Sequence, residues 1–428
     1  MIGIMIVFVN YLLLIVLPPM ATSFPTLTSH NLCKPLSNPL HNPSCLAAVV
    51  GADTKFTVTS GRVLNPGSEG PGWWDNRCAA MPIVLPPSGD QKLWRCFYYG
   101  RASDKWNNDL PAFLPTGVSG LAESEDGLNW KRVRGPLEGG AILRPSEDED
   151  TFDHVHLGLT DVIPNSEGGG YTGLYFGGSS EEINLGMGPG PIVGFKMRPG
   201  SASSPDGVNW SRLNSGQPIL EVSDPPEFDS QFVSWPRALP ISPSNPSTGD
   251  WLMTYHSLMP SGYDGVKAPR WAVGSAVSKS GGPLGPYEKL SSEPILKGGP
   301  LGSWDSSGIG TRHVVHSPSG PGLVMIYEGV GSDGRHRLGL ATSPSGLEWT
   351  KVLDVGPEPG GPIFEGSPPE IDAWDNGNVG TPWLVKLDSG RWRLYYVGTS
   401  DKGRTVAIGA AESEHLFSCD WKRVDATC

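Results

Sequence analysis

The sequence predicts an all-β fold, a single five-bladed β-propeller of four-stranded antiparallel blades. Three observations lead to this prediction: a motif that recurs five times, strand-like segments after each copy, and a composition rich in turn-forming residues. The chain of 428 residues contains 57 Gly and 42 Pro, which are poor helix formers and mark turns. With 38% apolar residues and 15 Trp, it can still bury a large core.

The recurring motif is an aromatic residue followed directly by Asp. Its copies begin at Trp74, Phe152, Phe228, Trp304 and Trp374, with spacings of 78, 76, 76 and 70 residues. A nearly fixed period is the signature of a repeat architecture. Because every copy carries the Asp, we expect the five aspartates to have a shared scaffold role, accepting backbone N–H groups where the chain enters each blade.

Four strand-like segments follow each copy of the motif. The first is an apolar run, at 79–85, 157–163, 233–239, 309–315 and 379–385. The second ends in an aromatic residue, at 94–99, 171–176, 251–255, 323–327 and 392–396. The third consists of small residues and leads into a turn, at 120–130, 201–210, 274–287, 339–349 and 409–421. A short fourth strand, such as 131–135, completes an antiparallel meander.

A single meander of this kind cannot be stable alone, because both of its faces are apolar. Radial stacking buries each face against the next unit. Five units that close a ring make a five-bladed propeller, with blades that start near residues 74, 152, 228, 304 and 374. The sequence thus predicts one domain over 53–428, in which 54–64 adds a strand or covers one opening.

Residues 1–52 are predicted to be a targeting leader. The apolar segment 1–19 resembles the core of a signal peptide but lacks a preceding Lys or Arg, and it is marginal for a membrane span. Residues 20–52 contain no Asp or Glu and many Ser and Thr, which is typical of a chloroplast transit peptide. We expect a chloroplast location, with secretion or a signal anchor as the alternative, and no stable membrane span in the mature protein.

Charge and cysteine content exclude further classes of function. The formal net charge of -12 argues against nucleic acid as a partner. Beyond the leader, the cysteines are sparse and form no CxxC pair, which argues against a disulfide scaffold or a zinc site. We expect no cofactor and no metal, and the oligomeric state is left open.

The segment 304–352 carries a resemblance to a known group of proteins. Its runs WDSSGIG, LVMIYEG and RLGLATSPSGLEWTKV resemble the units of the five-bladed propellers of glycoside hydrolase families 43, 32, 68 and 130, and the similarity extends over all five repeats. The turn Ser-x-Asp-Gly-x-x-Trp, at 124–130 and 204–210, is one residue shorter between Asp and Trp than the Asp-box of six-bladed sialidases. The resemblance implies a protein that acts on or binds carbohydrate.

The chain departs from these families at their acidic positions. The resemblance implies acidic residues at the head of the first strand in blades 1 and 2, often as Asp-Pro. Here Met81, Trp235 and Thr381 precede the corresponding prolines, and Asp161 lies two residues beyond the equivalent Leu159. The sequence therefore resembles a divergent member, onto which no catalytic acid can be transferred.

Candidate site residues are those that break the fivefold pattern. At the end of the second strand, the repeats read Gly100, Gly177, His256, Glu328 and Val397. Two adjacent positions in the first strand read Pro82, Thr160, Pro236, Arg312 and Pro382, and then Ile83, Asp161, Arg237, His313 and Trp383. Neighbouring strands are antiparallel, so the start of the first strand and the end of the second share one rim. We expect the charged and polar exceptions to meet at the mouth of the channel.

Glycosidic hydrolysis requires two carboxyl groups. For this role the sequence nominates Glu328 as general acid and Asp161 as base or charge modulator. Substrate contacts are predicted at His256, Arg237, His313, Arg312, Trp235 and Arg101. The alternative is structural: an ion pair of Asp161 with Arg237 or Arg312 would close the channel.

Two functional hypotheses follow. The first is a glycoside hydrolase-like enzyme that acts on a small carbohydrate or glycoconjugate at the channel mouth. The second is a propeller that has lost this activity and binds a metabolite or a protein through the same rim. A third class, unrelated catalysis through His256, His313 and Arg237, also stays open. Two carboxylates within about 10 Å that face one pocket would favour hydrolysis.

Overall fold

A computed structural model describes residues 60–67, 69–70, 72–102, 117–166, 168–184, 191–242, 244, 249–279, 282–400 and 406–426. The predicted leader, 1–52, lies outside the described residues, so the structure does not bear on it. In the described ranges, no helix is long and apolar enough to cross a lipid bilayer.

The described chain is almost entirely β-strand and turn. It begins with β1 (Arg62–Leu64), and blade 1 contains β2 (Cys78–Leu85), β3 (Trp94–Arg101), β4 (Val118–Ser124) and β5 (Lys131–Val133). Blade 2 contains β6 (His156–Pro164), β7 (Tyr171–Gly178), β8 (Met197–Ser204) and β9 (Ser211–Arg212). Blade 3 contains β10 (Ser234–Pro240), β11 (Trp251–Met259), β12 (Arg270–Ser278), β13 (Glu288–Lys289) and β14 (Leu296–Lys297).

The last two blades follow the same plan. Blade 4 contains β15 (Gly308–His316), β16 (Leu323–Val330), β17 (His336–Ser343) and β18 (Thr350–Lys351). Blade 5 contains β19 (Asn378–Lys386), β20 (Trp392–Thr399), β21 (Val406–Ser413) and β22 (Lys422–Arg423). Single turns of 3-10 helix occur at Glu138–Gly140, Asn214–Gly216 and Gly282–Leu284.

The five blades form a closed ring. Within each blade, the first three strands pair antiparallel in chain order, and the short fourth strand pairs antiparallel with the third. The first strands contact one another in the order β2, β6, β10, β15 and β19, and β19 contacts β2 again. Each apolar blade face is thereby buried against its neighbour. The predicted all-β, five-bladed propeller is confirmed.

The N-terminal strand completes the last blade. In blade 3, the segment after the fourth strand returns as β14 to pair with the third strand, β12. In blade 5 this position is taken by β1, which pairs with β21 near the C-terminus. Asp425 accepts hydrogen bonds from the backbone N–H groups of Ser60, at 3.0 Å, and Gly61, at 2.8 Å. The two ends of the described chain therefore hold the ring shut.

The repeated aspartates have a scaffold role, but their main partners differ from those expected. Asp75 accepts the Tyr98 hydroxyl of the second strand at 2.7 Å and forms an ion pair with Arg132 near the fourth strand at 2.7 Å. The corresponding ion pairs are Asp153–Arg212, Asp229–Lys289, Asp305–Lys351 and Asp375–Arg423. Side chains, rather than backbone N–H groups alone, thus join the outer strand of each blade to its entry point.

These contacts correct the predicted register of blades 1 and 2. Both blades have two consecutive aromatic residues at the end of the second strand, and the sequence comparison aligned the second of each pair. In the structure, Tyr98 occupies the position that binds the blade aspartate, so Tyr99 is equivalent to His256 and Glu328. The predicted matches of Gly100 and Gly177 to these residues are wrong by one position, and such a shift points a side chain to the opposite face.

Candidate functional site

Arg237 holds the centre of the propeller together. Its side chain, 3% exposed, extends from β10 to main-chain carbonyls on three other blades. Nε donates to Thr160 at 3.0 Å, and Nη1 donates to Pro382 at 2.9 Å and to Arg312. The guanidinium also lies over the ring of Trp383, 4.9 Å from its centroid. Arg237 is thus a structural plug of the channel.

Asp161 belongs to this plug. Its Oδ2 accepts the backbone N–H of Ala238 at 2.8 Å, which joins blade 2 to blade 3. Burial raises the pKa of Asp161 to about 6, although the Ala238 hydrogen bond and the charge of Arg237 act in the opposite direction. Asp161 and Arg237 thus both join first strands of neighbouring blades, but through backbone groups rather than through the ion pair that the structural alternative predicted.

His313 lies in the same layer. Its ring stacks on Trp383 with centroids 4.0 Å apart, and Nδ1 accepts the backbone N–H of Leu384 at 3.0 Å. Burial, followed by the charge of Arg237, lowers the pKa of His313 well below its ordinary value. The ring is consequently neutral and its Nδ1 is already used.

A small pocket lies at the rim where the first strands begin. It has a volume of about 40 Å³, enough for about three water-sized groups. Blade 3 contributes Trp235, His256 and Trp271, blade 4 contributes Thr311, Glu328 and His336, and blade 5 contributes Thr381. Phe195 and Met197 of blade 2 complete an apolar wall. Three sequence-predicted site residues therefore meet here: Glu328, His256 and Trp235.

Glu328 is the carboxylate among the described residues that line this pocket. It accepts the Thr311 hydroxyl, the backbone N–H of Thr381 at 3.0 Å, and a hydrogen bond from Nδ1 of His336. Burial alone would raise the pKa of Glu328, but His336 and these donors outweigh it and lower the pKa below its ordinary value. Glu328 is therefore held as an anion.

Gly380 allows blade 5 to approach Glu328. A Cβ atom at this position would lie 2.6 Å from Cδ of Glu328, which is closer than real Cβ contacts. A Cβ at Gly310 would lie 3.8 Å from the same atom, an ordinary contact distance. The close packing of Glu328 against β19 therefore requires glycine at 380 but not at 310.

Contacts with Arg312 and with the backbone of Gly310 fix the orientation of the His256 ring. Arg312 donates to the backbone carbonyl of Trp235 at 2.5 Å and approaches Nδ1 of His256 at 3.5 Å. Since a guanidinium only donates, this Nδ1 accepts, and the ring also hydrogen-bonds the backbone of Gly310. Burial and the charge of Arg312 hold the pKa of His256 well below its usual range. His256 is a neutral wall of the pocket.

The backbone is strained where the pocket side chains enter. Met81, Trp235 and Thr381 have φ values of 58°, 57° and 45°, each at a β-bulge in the first strand of its blade. A positive φ is unusual for any residue with a side chain and exceptional for a β-branched one. Bulges redirect side chains, and these aim Trp235 and Thr381 at the pocket.

Several polar atoms of the pocket residues have no hydrogen-bond partner. Within the described ranges, these atoms are Nε1 of Trp235, Oγ1 of Thr381 and Nε2 of His336, and all three are buried. An unsatisfied buried polar group costs free energy, and native proteins contain few. These three atoms are therefore able to bind polar groups of a ligand or water.

Sequence reasoning missed His336 and Trp271. Both occupy one column of the third strand, three residues before a shared glycine, where the other blades have Gly117, Met197 and Val406. His336 therefore breaks the fivefold pattern as clearly as Glu328 does. It was overlooked because the predicted third strand of blade 4 began at 339, whereas β17 begins at His336.

The remaining predicted residues lie elsewhere. Three of them lie around the axis: Asp161, Arg237 and His313. Arg312 lies next to the pocket and donates to the backbone carbonyl of Trp235. Arg101 is buried at the end of β3. None of these five side chains lines the pocket. The structure therefore does not bring Asp161 and Glu328 together at one site.

A larger groove of about 970 Å³ lies on the outer side of blade 4, around Trp304. Its cations are already paired, Lys351 with Asp305 at 2.5 Å and Arg337 with Asp333 at 2.7 Å. The rim pocket, by contrast, contains buried polar atoms without partners among the described residues and the carboxylate of Glu328, which is fixed by three hydrogen bonds. We therefore take the rim pocket as the functional site despite its smaller volume. Among the described side chains, no three His, Cys, Asp or Glu residues are grouped so that they could hold a metal ion.

Comparisons with known proteins agree on the fold. No protein-family model and no curated protein matches the chain. A solved structure from the GH130 family of mannoside phosphorylases, described as containing glycoside hydrolases that target β-1,2-mannosidic linkages in Candida mannan, is 15% identical, with a TM-score of 0.58 over 87% of this chain and 99% of that one.

Two further solved structures resemble this chain in fold at similarly low sequence identity. A glycosyl hydrolase from Bacteroides ovatus is 14% identical, with a TM-score of 0.57 over 85% of this chain and 94% of its own. A thermostable family-43 glycoside hydrolase is 14% identical, with a TM-score of 0.52 over 82% and 95%. The protein therefore has the five-bladed propeller fold of these glycosidases, as its sequence indicated.

Proposed function

We propose that the protein is a carbohydrate-binding propeller whose rim pocket holds part of a small sugar without cleaving it. The observation that carries this proposal is the pocket itself, in which aromatic walls surround buried polar atoms that lack partners. Ligand sites combine apolar walls with a few convergent polar groups in this way. Trp271, half-buried at the mouth, offers a face on which a sugar ring can stack.

The charge states in the pocket favour binding over hydrolysis. A general acid must carry a proton, and its pKa is therefore raised in glycosidases. Glu328 has a lowered pKa instead, because His336, Thr311 and Thr381 all hydrogen-bond its carboxylate. The raised pKa belongs to Asp161, which lies in the axial plug. The acid and base roles first suggested for these two residues are thus not supported.

A paired binding and hydrolysis experiment tests the proposal. Saturation-transfer NMR would screen methyl hexosides and short oligosaccharides for binding, and chromatography would follow the same sugars for cleavage. We expect binding without product. The Glu328→Gln variant should bind roughly tenfold more weakly, since the amide cannot accept all three hydrogen bonds.

Glu348→Gln provides the matched control, because Glu348 is exposed in a turn of the same blade. It should bind like the wild type. Cleavage that is lost in Glu328→Gln but retained in Glu348→Gln would overturn the proposal in favour of a hydrolase. The absence of binding by any sugar in the set would overturn the carbohydrate assignment.

We further propose a chloroplast location, supported by the acid-free, Ser- and Thr-rich segment 20–52. Fusions of 1–52 and 20–52 to a fluorescent protein, expressed in leaf cells, test this proposal. Plastid fluorescence is expected from 20–52. Fluorescence from either fusion in the secretory pathway alone would favour the alternative of secretion or a signal anchor.

A further inference from the structure

Three groups in the rim pocket determine which ligand substituent can satisfy it. Glu328 is an anion that only accepts hydrogen bonds, so the hydrogen between Glu328 and His336 belongs to Nδ1 of His336. Nε2 of His336 is buried and has no hydrogen-bond partner among the described residues. Nε1 of Trp235 is always a donor. The pocket therefore presents one fixed donor together with two further polar atoms, Nε2 of His336 and Oγ1 of Thr381, that lack partners in the described part of the chain.

A hydroxyl group matches this pair. Its oxygen can accept from Trp235, and because a hydroxyl both donates and accepts, it can also pair with Nε2 of His336 and with Oγ1 of Thr381. A carboxylate has no hydrogen to donate and would lie beside the negative charge of Glu328, which repels it. A methyl group would leave all three polar atoms unsatisfied.

The size of the pocket also limits which part of a ligand can enter it. About 40 Å³ accommodates about three water-sized groups, which is too little for a sugar ring. A hydroxymethyl group has two heavy atoms and projects from its ring, so it can enter while the ring stays outside. Among the residues lining the pocket, Trp271 is partly exposed whereas Trp235, Glu328 and His336 are buried, so the ring would rest on Trp271.

We propose that the rim pocket selects an uncharged primary alcohol, the hydroxymethyl group of a hexose, which hydrogen-bonds to Trp235 and His336. This inference rests on the proposed carbohydrate-binding function and extends it to a class of sugar. It assigns Trp235 as a specificity residue through its N–H group. His336 is the second hydrogen-bond partner, and Glu328 orients its ring through Nδ1.

The test compares sugars that differ only at carbon 6. The methyl glycosides of glucose, mannose and galactose would each be titrated beside the 6-deoxy sugar, the C6 carboxylate and the pentose of the same ring configuration. Affinities would come from calorimetry or from NMR titration. We expect at least one hexoside to bind roughly tenfold or more tightly than its three counterparts, since each counterpart leaves buried polar atoms without partners.

Two variants separate specificity from general binding. Trp235→Phe keeps an aromatic ring but removes the N–H group, and it should reduce the preference for hexoside over 6-deoxy sugar. Trp271→Phe changes the opening of the pocket but leaves the polar atoms of Trp235, His336 and Thr381 in place. It should therefore reduce the affinity for all four sugars by a similar factor. Thermal unfolding of both variants establishes that they fold.

The outcomes distinguish the two proposals. Equal binding of a hexoside and its 6-deoxy counterpart would overturn the selectivity while leaving carbohydrate binding in place. Tighter binding of the C6 carboxylate would overturn the charge argument in particular. An unchanged preference in folded Trp235→Phe would remove Trp235 from its assigned role. If no sugar binds, both proposals fail.

Discussion

Replacing Asp161 by Asn offers a quantitative test of the axial plug. Asp161 is 5% exposed and accepts the N–H of Ala238 at 2.8 Å. Burial raises its pKa to about 6 in the folded protein, although the Ala238 hydrogen bond and Arg237 oppose the shift. In an unfolded chain, the pKa of an Asp side chain is about 3.9.

The sign of the effect follows from this difference. A raised pKa means that the folded protein binds the proton more tightly than the unfolded chain does. Protonated Asp161 therefore stabilises the fold fully below about pH 4, and this contribution is lost as the pH rises through about 6. A shift of about two pKa units corresponds to about 3 kcal/mol in the free energy of unfolding.

Urea unfolding of the wild type and Asp161→Asn between about pH 4 and 7 measures this contribution. Asn does not titrate, so the difference between the two proteins isolates Asp161. As the pH falls across this window, the difference should shift by about 3 kcal/mol in favour of the wild type. Asp420→Asn, at an exposed position, controls for the loss of one carboxylate from the protein.

A pH-independent difference between the wild type and Asp161→Asn would refute the reasoning. So would a difference that favours the wild type more as the pH rises. Either result would mean that Asp161 is not a buried carboxyl held mainly by desolvation. The plug would then need a different electrostatic description.

Three further predictions concern the packing. Arg237→Met should lower the free energy of unfolding by about 3 kcal/mol or more, because buried carbonyls on three blades lose their donor; a loss below about 1 kcal/mol in urea unfolding would contradict the plug. Gly380→Ala should cost about 2 kcal/mol through overpacking against Glu328 and weaken sugar binding; unchanged stability together with unchanged binding in NMR titration would disprove the steric argument. Asp425→Ala should lower stability by about 1 kcal/mol, since the N-terminal segment loses its acceptor; an unchanged melting temperature would show that this contact does not help close the ring.

The architecture was predictable because it is encoded five times. Each repeat carries the same aspartate, the same small-residue strand and the same turn, so errors in one copy are corrected by the others. The contribution of β1 is a single event at one end of the chain. Only its pairing with β21 identifies it as the missing part of blade 5.

The pocket was predictable only in part. Glu328 and His256 stand out because they break a column, and they do line the pocket. The column itself was misaligned in blades 1 and 2, since Tyr98 and Tyr99 are equally aromatic and only the hydrogen bond to Asp75 distinguishes them. A one-residue uncertainty of this kind reverses which face a side chain occupies.

Charge alone could not separate the site from the scaffold. Asp161 and Arg237 differ in residue type from the equivalent positions of the other blades as much as the pocket residues Glu328 and His256 do. The difference lies in depth: all three side chains contact a neighbouring first strand, but only Glu328 lines the rim pocket. Depth depends on the β-bulges at positions such as Trp235 and Thr381, and no residue pattern in the sequence specifies a positive φ there.

A crystal structure of the protein soaked with its tightest-binding hexoside tests the central claim most directly. The account predicts one sugar at the rim, with its ring on Trp271 and its hydroxymethyl oxygen within hydrogen-bond distance of Nε1 of Trp235 and Nε2 of His336. A sugar bound instead in the outer groove around Trp304, or a rim pocket that contains only water, would contradict it.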